Sequence, residues 1–348
     1  MKITEQQPIC TRPFEWFEVH PDGSTFLCCP SWLRRPVGNL LQQAIEEIWN
    51  GQVAREIRKS VLNGSFHNCS AKRCPHLVNK ITPVRRGALL TDDKLRCTLN
   101  GFTGRAPYLP RQLNLCFDHS CNLSCPSCRK EIQTAKGDDL AQVEQIAAII
   151  EAELLPHATS VTLSGFGDPF GSPTYLKLLH RLNRNEYPLL EQIRLHTNGQ
   201  LLNEQMWQRM PELQPLVREV EISLDAASAQ TYQINRPGGS FDQLLKNLKF
   251  LSTKDIRLTL SMVVQENNWR EIPQLIELAH RFSAHIYLSQ LVNWGTFTKE
   301  EFFQRAVHLN GHRDYQQFKE LFQKITSVAQ GISSNLPFRH SNGTMWCR

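Results

Sequence analysis

No stretch of this 348-residue chain is apolar for long enough to span a bilayer, and the opening "MKITEQQPIC" lacks the apolar core of a signal peptide. The expectation is a cytoplasmic protein with no membrane partner. Low-complexity tracts and internal repeats are also missing, which excludes disordered arrays and solenoids. There is no long basic block. "RR" at 34–35 and 85–86, within a net charge of +6, reads as a solvated basic surface, so no nucleic-acid partner is expected. An acidic or phosphorylated substrate stays compatible with that charge. The eleven cysteines are odd in number. In a compartment where thiols stay reduced, that argues against a disulfide scaffold and for metal binding or catalysis.

From about residue 112 the chain alternates strand-like and helix-like runs. The strands read "QLNLCF" (112–117), "SVTLS" (160–164), "QIRLHT" (192–197), "REVEISL" (218–224), "IRLTLSMVV" (256–264) and "HIYLSQL" (285–291). Helical stretches lie near 139–155, 173–184, 203–211, 241–251, 270–283 and 299–325. In the first, Leu140, Val143, Ile146, Ala147, Ile150 and Leu154 recur at helical spacing. Six β-α units in series imply an α/β fold with a parallel sheet and right-handed crossovers, an incomplete (β/α)6 barrel or a flat doubly wound sheet.

Residues 1–111 differ. "EWFEVH-PDG-STFLCC" reads as a hairpin around a Pro-Asp-Gly turn. "LQQAIEEIWN" and "QVAREIRKSVLNG" read as two short helices, the second stopped by Gly64. The expected division is a small α+β domain over 1–80, a linker over 81–111, the barrel over 112–325 and a C-terminal tail over 326–348.

One polar cluster follows each predicted strand. Cys121, Cys125 and Cys128 follow the first, "GFGDP" with Asp168 the second, and Asn198 the third. Ser223 and Asp225 end the fourth, Gln265 and Asn267 follow the fifth, and Asn293 and Trp294 the sixth. In a parallel βα fold these positions share the face at the carboxyl ends of the strands, where active sites lie. Three thiolates can bind three irons of a [4Fe–4S] cluster and leave the fourth iron open, whereas a structural zinc site needs four ligands. For zinc, His119 or Cys116 would have to serve as the fourth. In the first half, Cys10, Cys28, Cys69 and Cys74 lie on separate local elements. Four such ligands would staple a domain with little core of its own. Either zinc or an iron–sulfur cluster suits them, with His67 and His76 as rival ligands.

The spacing "CNLSCPSC" on the loop after the first strand, with "GFGDP", "HTNG" and "ISLDAASAQTYQINRPGGSFDQLLKNLKFL" behind it, resembles the radical S-adenosylmethionine (SAM) superfamily over roughly 110–300. The resemblance implies that Cys121, Cys125 and Cys128 hold a [4Fe–4S] cluster whose open iron is chelated by SAM. It implies that one electron, from a reductant such as flavodoxin or ferredoxin, cleaves SAM to a 5′-deoxyadenosyl radical. Gly165, Gly167, Asp168, Asn198, Ser223, Asp225 and Asn267 then fall in the SAM pocket. Ser127 stands where an aromatic is common, and Asp168 where the family carries Glu. "PDGSTFLCCPSW…VGNLLQQAIEEIWNG…REIRKSVLNGSFHNCSAKRCP" is similar to the SPASM or twitch extension of such enzymes, although that extension usually follows the barrel. It implies one auxiliary [4Fe–4S] cluster on Cys10, Cys28, Cys69 and Cys74, with Cys28 fitting the pattern better than Cys29. Cys116 reads as core, and Cys347 as an idle thiol, a hydrogen-atom donor or a cluster ligand.

The expectation is hydrogen abstraction from a peptide or peptide-like substrate. The alternative is the same chemistry on a sugar, nucleotide or other small precursor. Residues 1–9 leave no room for a free peptide-binding domain, which weighs toward the alternative. A non-enzymatic metal-binding module has no need of Asp168, Asn198 and Ser223 on one rim.

Overall fold

The computed structural model describes residues 8–71, 73, 74, 76, 77, 84–86, 104–106, 108–328 and 331–338. Cys97, Cys347 and most of the expected linker lie outside the described residues. The first half holds β1 (Pro8–Cys10), α1 (Arg12–Glu15), β2 (Trp16–Val19), β3 (Ser24–Phe26), β4 (Gly38–Asn39), α2 (Ile45–Trp49), α3 (Gln52–Leu62) and β5 (Val84–Arg86). The second begins with β6 (Gln112–Leu115), α4 (Gly137–Ile149), β7 (Ser160–Leu163), α5 (Pro173–Arg181), β8 (Gln192–Thr197), α6 (Glu204–Gln208) and β9 (Val217–Ser223). It ends with α7 (Ala229–Asn235), α8 (Phe241–Leu251), β10 (Arg257–Val264), α9 (Ile272–Arg281), β11 (His285–Gln290), α10 (Lys299–Arg305), α11 (Tyr315–Val328) and β12 (Ile332–Ser334).

The six expected barrel strands, β6 to β11, lie side by side in chain order and pair in parallel. Two further strands extend that parallel array. β12 adds to β11 at one edge, and β2 adds to β6 at the other. The β2–β3 hairpin and β4 then finish the sheet in antiparallel pairing, so that among the described residues it is an open partial barrel of ten strands. In β8, Ile193 and Leu195 are buried while Arg194 and His196 on the other face are half-buried. The concave side is polar across the strands. Asn114 of β6 donates to Glu18 of β2 at 2.9 Å, and Arg194 Nε lies 3.8 Å from Glu219 of β9.

Three expectations are corrected here. Residues 326–348 are not only a tail, because β12 joins the sheet and Leu336 and Phe338 enter the core. The helix expected over 299–325 is two helices. Gly311, at φ 103°, sits between them, and a Thr298–Glu301 capping box starts the first. The first half does not lack a core. Phe17, Leu27, Ile48 and Trp49 are buried in the same apolar cluster as Leu113, Ile193 and Leu288. Burial of that kind is worth roughly 1.5–3 kcal/mol per large side chain, so β2–β4 are held by packing against the barrel. A smaller cluster of Ile9, Phe14, Val61 and Leu62 stands apart from it.

Candidate functional site

The loop after β6 is fixed before any ligand is considered. Tyr175 of α5 donates its hydroxyl to Leu115 O at 3.1 Å and accepts from Asp118 N at 3.0 Å. Asp118, fully buried, accepts from Ser120 N and from the Ser172 hydroxyl. Ala135 N donates to Ser120 Oγ, and Cys121 N to Gln133 O, both at 2.8 Å. Backbone and side chain on either side of the cysteines are therefore pinned. Gly167 comes in from the loop after β7 with φ 81°. A Cβ there would lie 2.3 Å from Asp118 O, so only glycine lets the two loops meet.

Those loops line one cavity at the carboxyl ends of the strands. Cys121, Cys125 and Cys128 border it, together with Gly165, Gly167, Asp168, Asn198, Ser223 and Asp225. Nine residues singled out from the sequence thus converge. Asn267 does not: it borders a different hollow with Phe303 and Arg305, and donates to Asn235 Oδ1 at 2.8 Å. It is a turn residue far enough along the strand end to miss the cavity. Neither His119 nor Cys116 borders the cavity, so the structure offers neither as a fourth ligand to the three cysteines. Among the described residues, no three His, Cys, Asp or Glu side chains stand close enough to hold a single metal ion. Three thiolates on one loop suit a cluster with an open iron, whereas a structural zinc site takes four ligands.

Asp168 departs from its expected role. Its carboxylate accepts from Phe170 N at 2.9 Å and Gly171 N at 3.2 Å on one oxygen. On the other it accepts from Thr197 Oγ1 at 2.8 Å and Asn198 N at 2.7 Å. About four lone-pair sites exist on a carboxylate, and the chain fills them all. Asp168 therefore clamps the loop after β7 to the end of β8, and is 1% exposed.

Sequence reasoning passed over two arginines. Arg236, after α7, pairs with Asp225 at 2.7 Å and reaches Cys125 Sγ at 3.5 Å. Arg129 donates to His119 O at 2.5 Å and to Cys128 Sγ at 3.4 Å. Burial pushes both guanidinium groups toward neutrality, but the cysteine sulfurs, and Asp225 for Arg236, more than offset it and raise them. Burial pushes the Cys121 thiol up, with Asp168 adding to it. Burial also raises Cys125, against the pull of Arg236. An arginine beside a cysteine triplet, Cys128-Arg129, was the available signal. The same cavity is lined by His196, Glu221 and Tyr287, with His196 Nε2 at 3.4 Å from Glu221 and 3.1 Å from Ser223 Oγ.

The first-half cysteines also converge. Cys10, Cys28, Cys69 and Cys74 border a second, smaller cavity, with His76 beside them. His67 is elsewhere, its ring nitrogens engaged by Ser65 and Asn68. Trp32 Nε1 donates to Cys28 Sγ at 3.1 Å. Burial pushes all four thiols up, Cys69 to about 12, and charges on their neighbours in the set contribute at each but Cys74. Cys28 and Cys29 part company here: Cys29 borders the barrel cavity instead, between the two sites.

Comparisons with known proteins follow that division. Residues 117–279 match the model of the radical SAM superfamily, and residues 10–75 match an iron–sulfur cluster-binding domain, SPASM. The PqqA peptide cyclase of Gluconobacter oxydans is 26% identical over 56% of this chain and 53% of its own length. A GTP 3′,8-cyclase of Clostridium perfringens is 25% identical over 49% of this chain and 51% of its own. Among solved structures, Streptococcus suis SuiB bound to its precursor peptide SuiA aligns with a TM-score of 0.47 at 14% identity, over 83% of this chain and 64% of that one. The chain spans about half the length of the curated relatives it matches.

Proposed function

We propose, from the premise that the chain belongs to the radical SAM superfamily and carries a SPASM-type cluster-binding domain, that it cleaves SAM reductively and directs the resulting radical at a peptide or peptide-like substrate. The radical SAM domain implies a [4Fe–4S] cluster and SAM, and the SPASM domain implies auxiliary iron–sulfur binding. One observation carries the reading: a single cavity joins Cys121, Cys125 and Cys128 to the loops after β7, β8 and β9.

The residues present fit the cofactors. Three thiolates on one pinned loop suit a cluster with an open iron, which supplies the electron that breaks the carbon–sulfur bond of SAM. Gly165 and Gly167 bring backbone close to the cavity, and Asn198 and Ser223 offer hydrogen bonds to the amino acid and ribose of SAM. Asp168 holds the β7 and β8 loops in register so that those groups face one ligand. The part of the cavity lined by His196, Glu221 and Tyr287 is where the substrate would sit. The four-cysteine cavity would suit an auxiliary cluster held by four thiolates.

The peptide reading follows the PqqA peptide cyclase likeness. The GTP 3′,8-cyclase likeness keeps a nucleotide or other small precursor as the second reading. No helix of the described residues is long and apolar enough to cross a membrane, and we place the activity in the cytoplasm with a flavodoxin or ferredoxin as electron donor. The test is anaerobic reconstitution with iron and sulfide, then SAM and dithionite, with 5′-deoxyadenosine measured by mass spectrometry. We expect 5′-deoxyadenosine from the wild type and none from a Cys121, Cys125 and Cys128 triple-alanine variant. Equal yields from both would overturn the reading.

A further inference from the structure

Each sulfur of the barrel triad faces its own nitrogen donor. Asn198 Nδ2 lies 3.7 Å from Cys121 Sγ, Arg236 Nη1 3.5 Å from Cys125 Sγ, and Arg129 Nη2 3.4 Å from Cys128 Sγ. The donors come from three separate places: the end of β8, the segment after α7, and the cysteine loop itself. Each is held by a second bond. Asn198 Nδ2 also donates to Asn122 Oδ1 at 2.9 Å, Arg236 is tied to Asp225, and Arg129 is tied to His119 O. Arg129 is 6% exposed and the Arg236 side chain 12%, so neither is a surface charge that wandered in.

Hydrogen bonds and positive charge at cluster sulfurs stabilise the form with more negative charge, which is the reduced one. A low-dielectric site strengthens that effect. We infer from this geometry that Arg129 and Arg236, with Asn198, set the reduction potential of the cluster held by Cys121, Cys125 and Cys128, keeping it high enough for a one-electron donor to fill. Arg129 and Arg236 are positioning residues, acting on the sulfurs and not on the substrate. Asp225 opposes Arg236: it fixes the guanidinium on Cys125 and cancels part of its charge. The inference rests on the cluster reading of the triad.

The experiment is an anaerobic redox titration of the full-length reconstituted protein, followed by the electron paramagnetic resonance of the reduced cluster. The barrel signal is the one lost in the triple-alanine variant. Arg129→Gln and Arg236→Gln should each keep the iron and move the midpoint to more negative potential. Arg129→Lys and Arg236→Lys should fall between these and wild type, because charge survives without the fixed N–H. Combining Asp225→Asn with Arg236→Gln should return the midpoint toward wild type, since the net charge beside Cys125 is then unchanged. Variants that hold wild-type iron and wild-type midpoints would overturn the inference while leaving the cluster reading intact. A wild type that binds no iron would overturn the cluster reading, and this inference with it.

Discussion

The barrel draws its three cysteines from eight consecutive positions, whereas the N-terminal segment gathers four from Cys10 to Cys74. The short spacing works because the loop is pinned by Tyr175, Asp118, Ser120 and Gly167. The dispersed set is drawn from separate local elements, tied by bonds such as Ser70 N to Trp32 O at 2.8 Å. Cys69 and Cys74 lie in irregular segments, where Cys69 packs against the main core and Cys10 against the small cluster of Ile9, Phe14, Val61 and Leu62. We propose that the barrel site is built before it is filled, and that filling and ordering are coupled at the dispersed one.

The largest effect should come from the triad. Cys121, Cys125 and Cys128 changed to alanine should remove about four of about eight irons and all 5′-deoxyadenosine, while the melting temperature stays near that of the apo wild type. A large drop in stability would break the comparison, since it would make the barrel loop metal-dependent too.

The complementary double variant, Cys69→Ala with Cys74→Ala, should also lose about four irons. Limited proteolysis should then cut near residues 8–14 and 63–77. The β2–β4 strands should stay protected, because Phe17, Leu27 and Trp49 pack in the barrel core. Slow SAM cleavage without substrate should survive. Cleavage throughout β2–β4 would show that the metal, not the core, holds that sheet extension.

Single variants sharpen the border between the sites. Cys28→Ala should cost the auxiliary iron, and Cys29→Ala should not, as Cys29 faces the barrel cavity. Iron analysis of the two decides it, and the reverse result would exchange their roles.

Asp168→Asn tests the clamp. An amide nitrogen would face donors from Thr197 and Asn198, leaving the two loops unregistered. Loss of about 1.5–3 kcal/mol would weaken SAM binding roughly tenfold to a hundredfold, and thermal stability should fall with it. Weaker SAM binding at unchanged stability, read by calorimetry, would point back to a direct contact with the ammonium.

A last effect concerns the pH dependence of stability and leaves the iron content unchanged. Burial, helped by His312, lowers the His308 imidazole to about 4. A histidine depressed in the fold favours its neutral form. Its contribution is complete above the usual 6.5 and is lost as pH falls from there to about 4. The amount is on the order of 3 kcal/mol. His308→Gln should flatten that part of the stability-against-pH curve, and an unchanged slope would exclude His308 as its source.

Much of this was legible in the sequence, for identifiable reasons. The barrel strands were visible because runs such as "QIRLHT" are bounded by turns and bury every second residue. The two cysteine sets were visible through spacing and resemblance. What escaped depends on residues distant in the chain. Glu18 of β2 meets Asn114 of β6 across a separation of 96 positions, so nothing local announces that pairing. The clamp on Asp168 is built from Phe170, Gly171, Thr197 and Asn198, two of them on another strand end. Arg236 gains its meaning only when α7 brings it over Cys125. Asn267 looked like its neighbours in the strand-end series, and only the course of the loop takes it elsewhere.

The parallel pairing of β2 with β6 decides where the chain can be cut. A truncation that removes the N-terminal segment to liberate the barrel would leave the backbone amides and carbonyls of Gln112–Leu115 without partners on one side. It would also strip Phe17 and Val19 from the faces they cover. A newly bare, apolar strand is a template for pairing with another copy of itself. The shortened protein should therefore aggregate, whereas the full chain keeps that edge closed with its own first half.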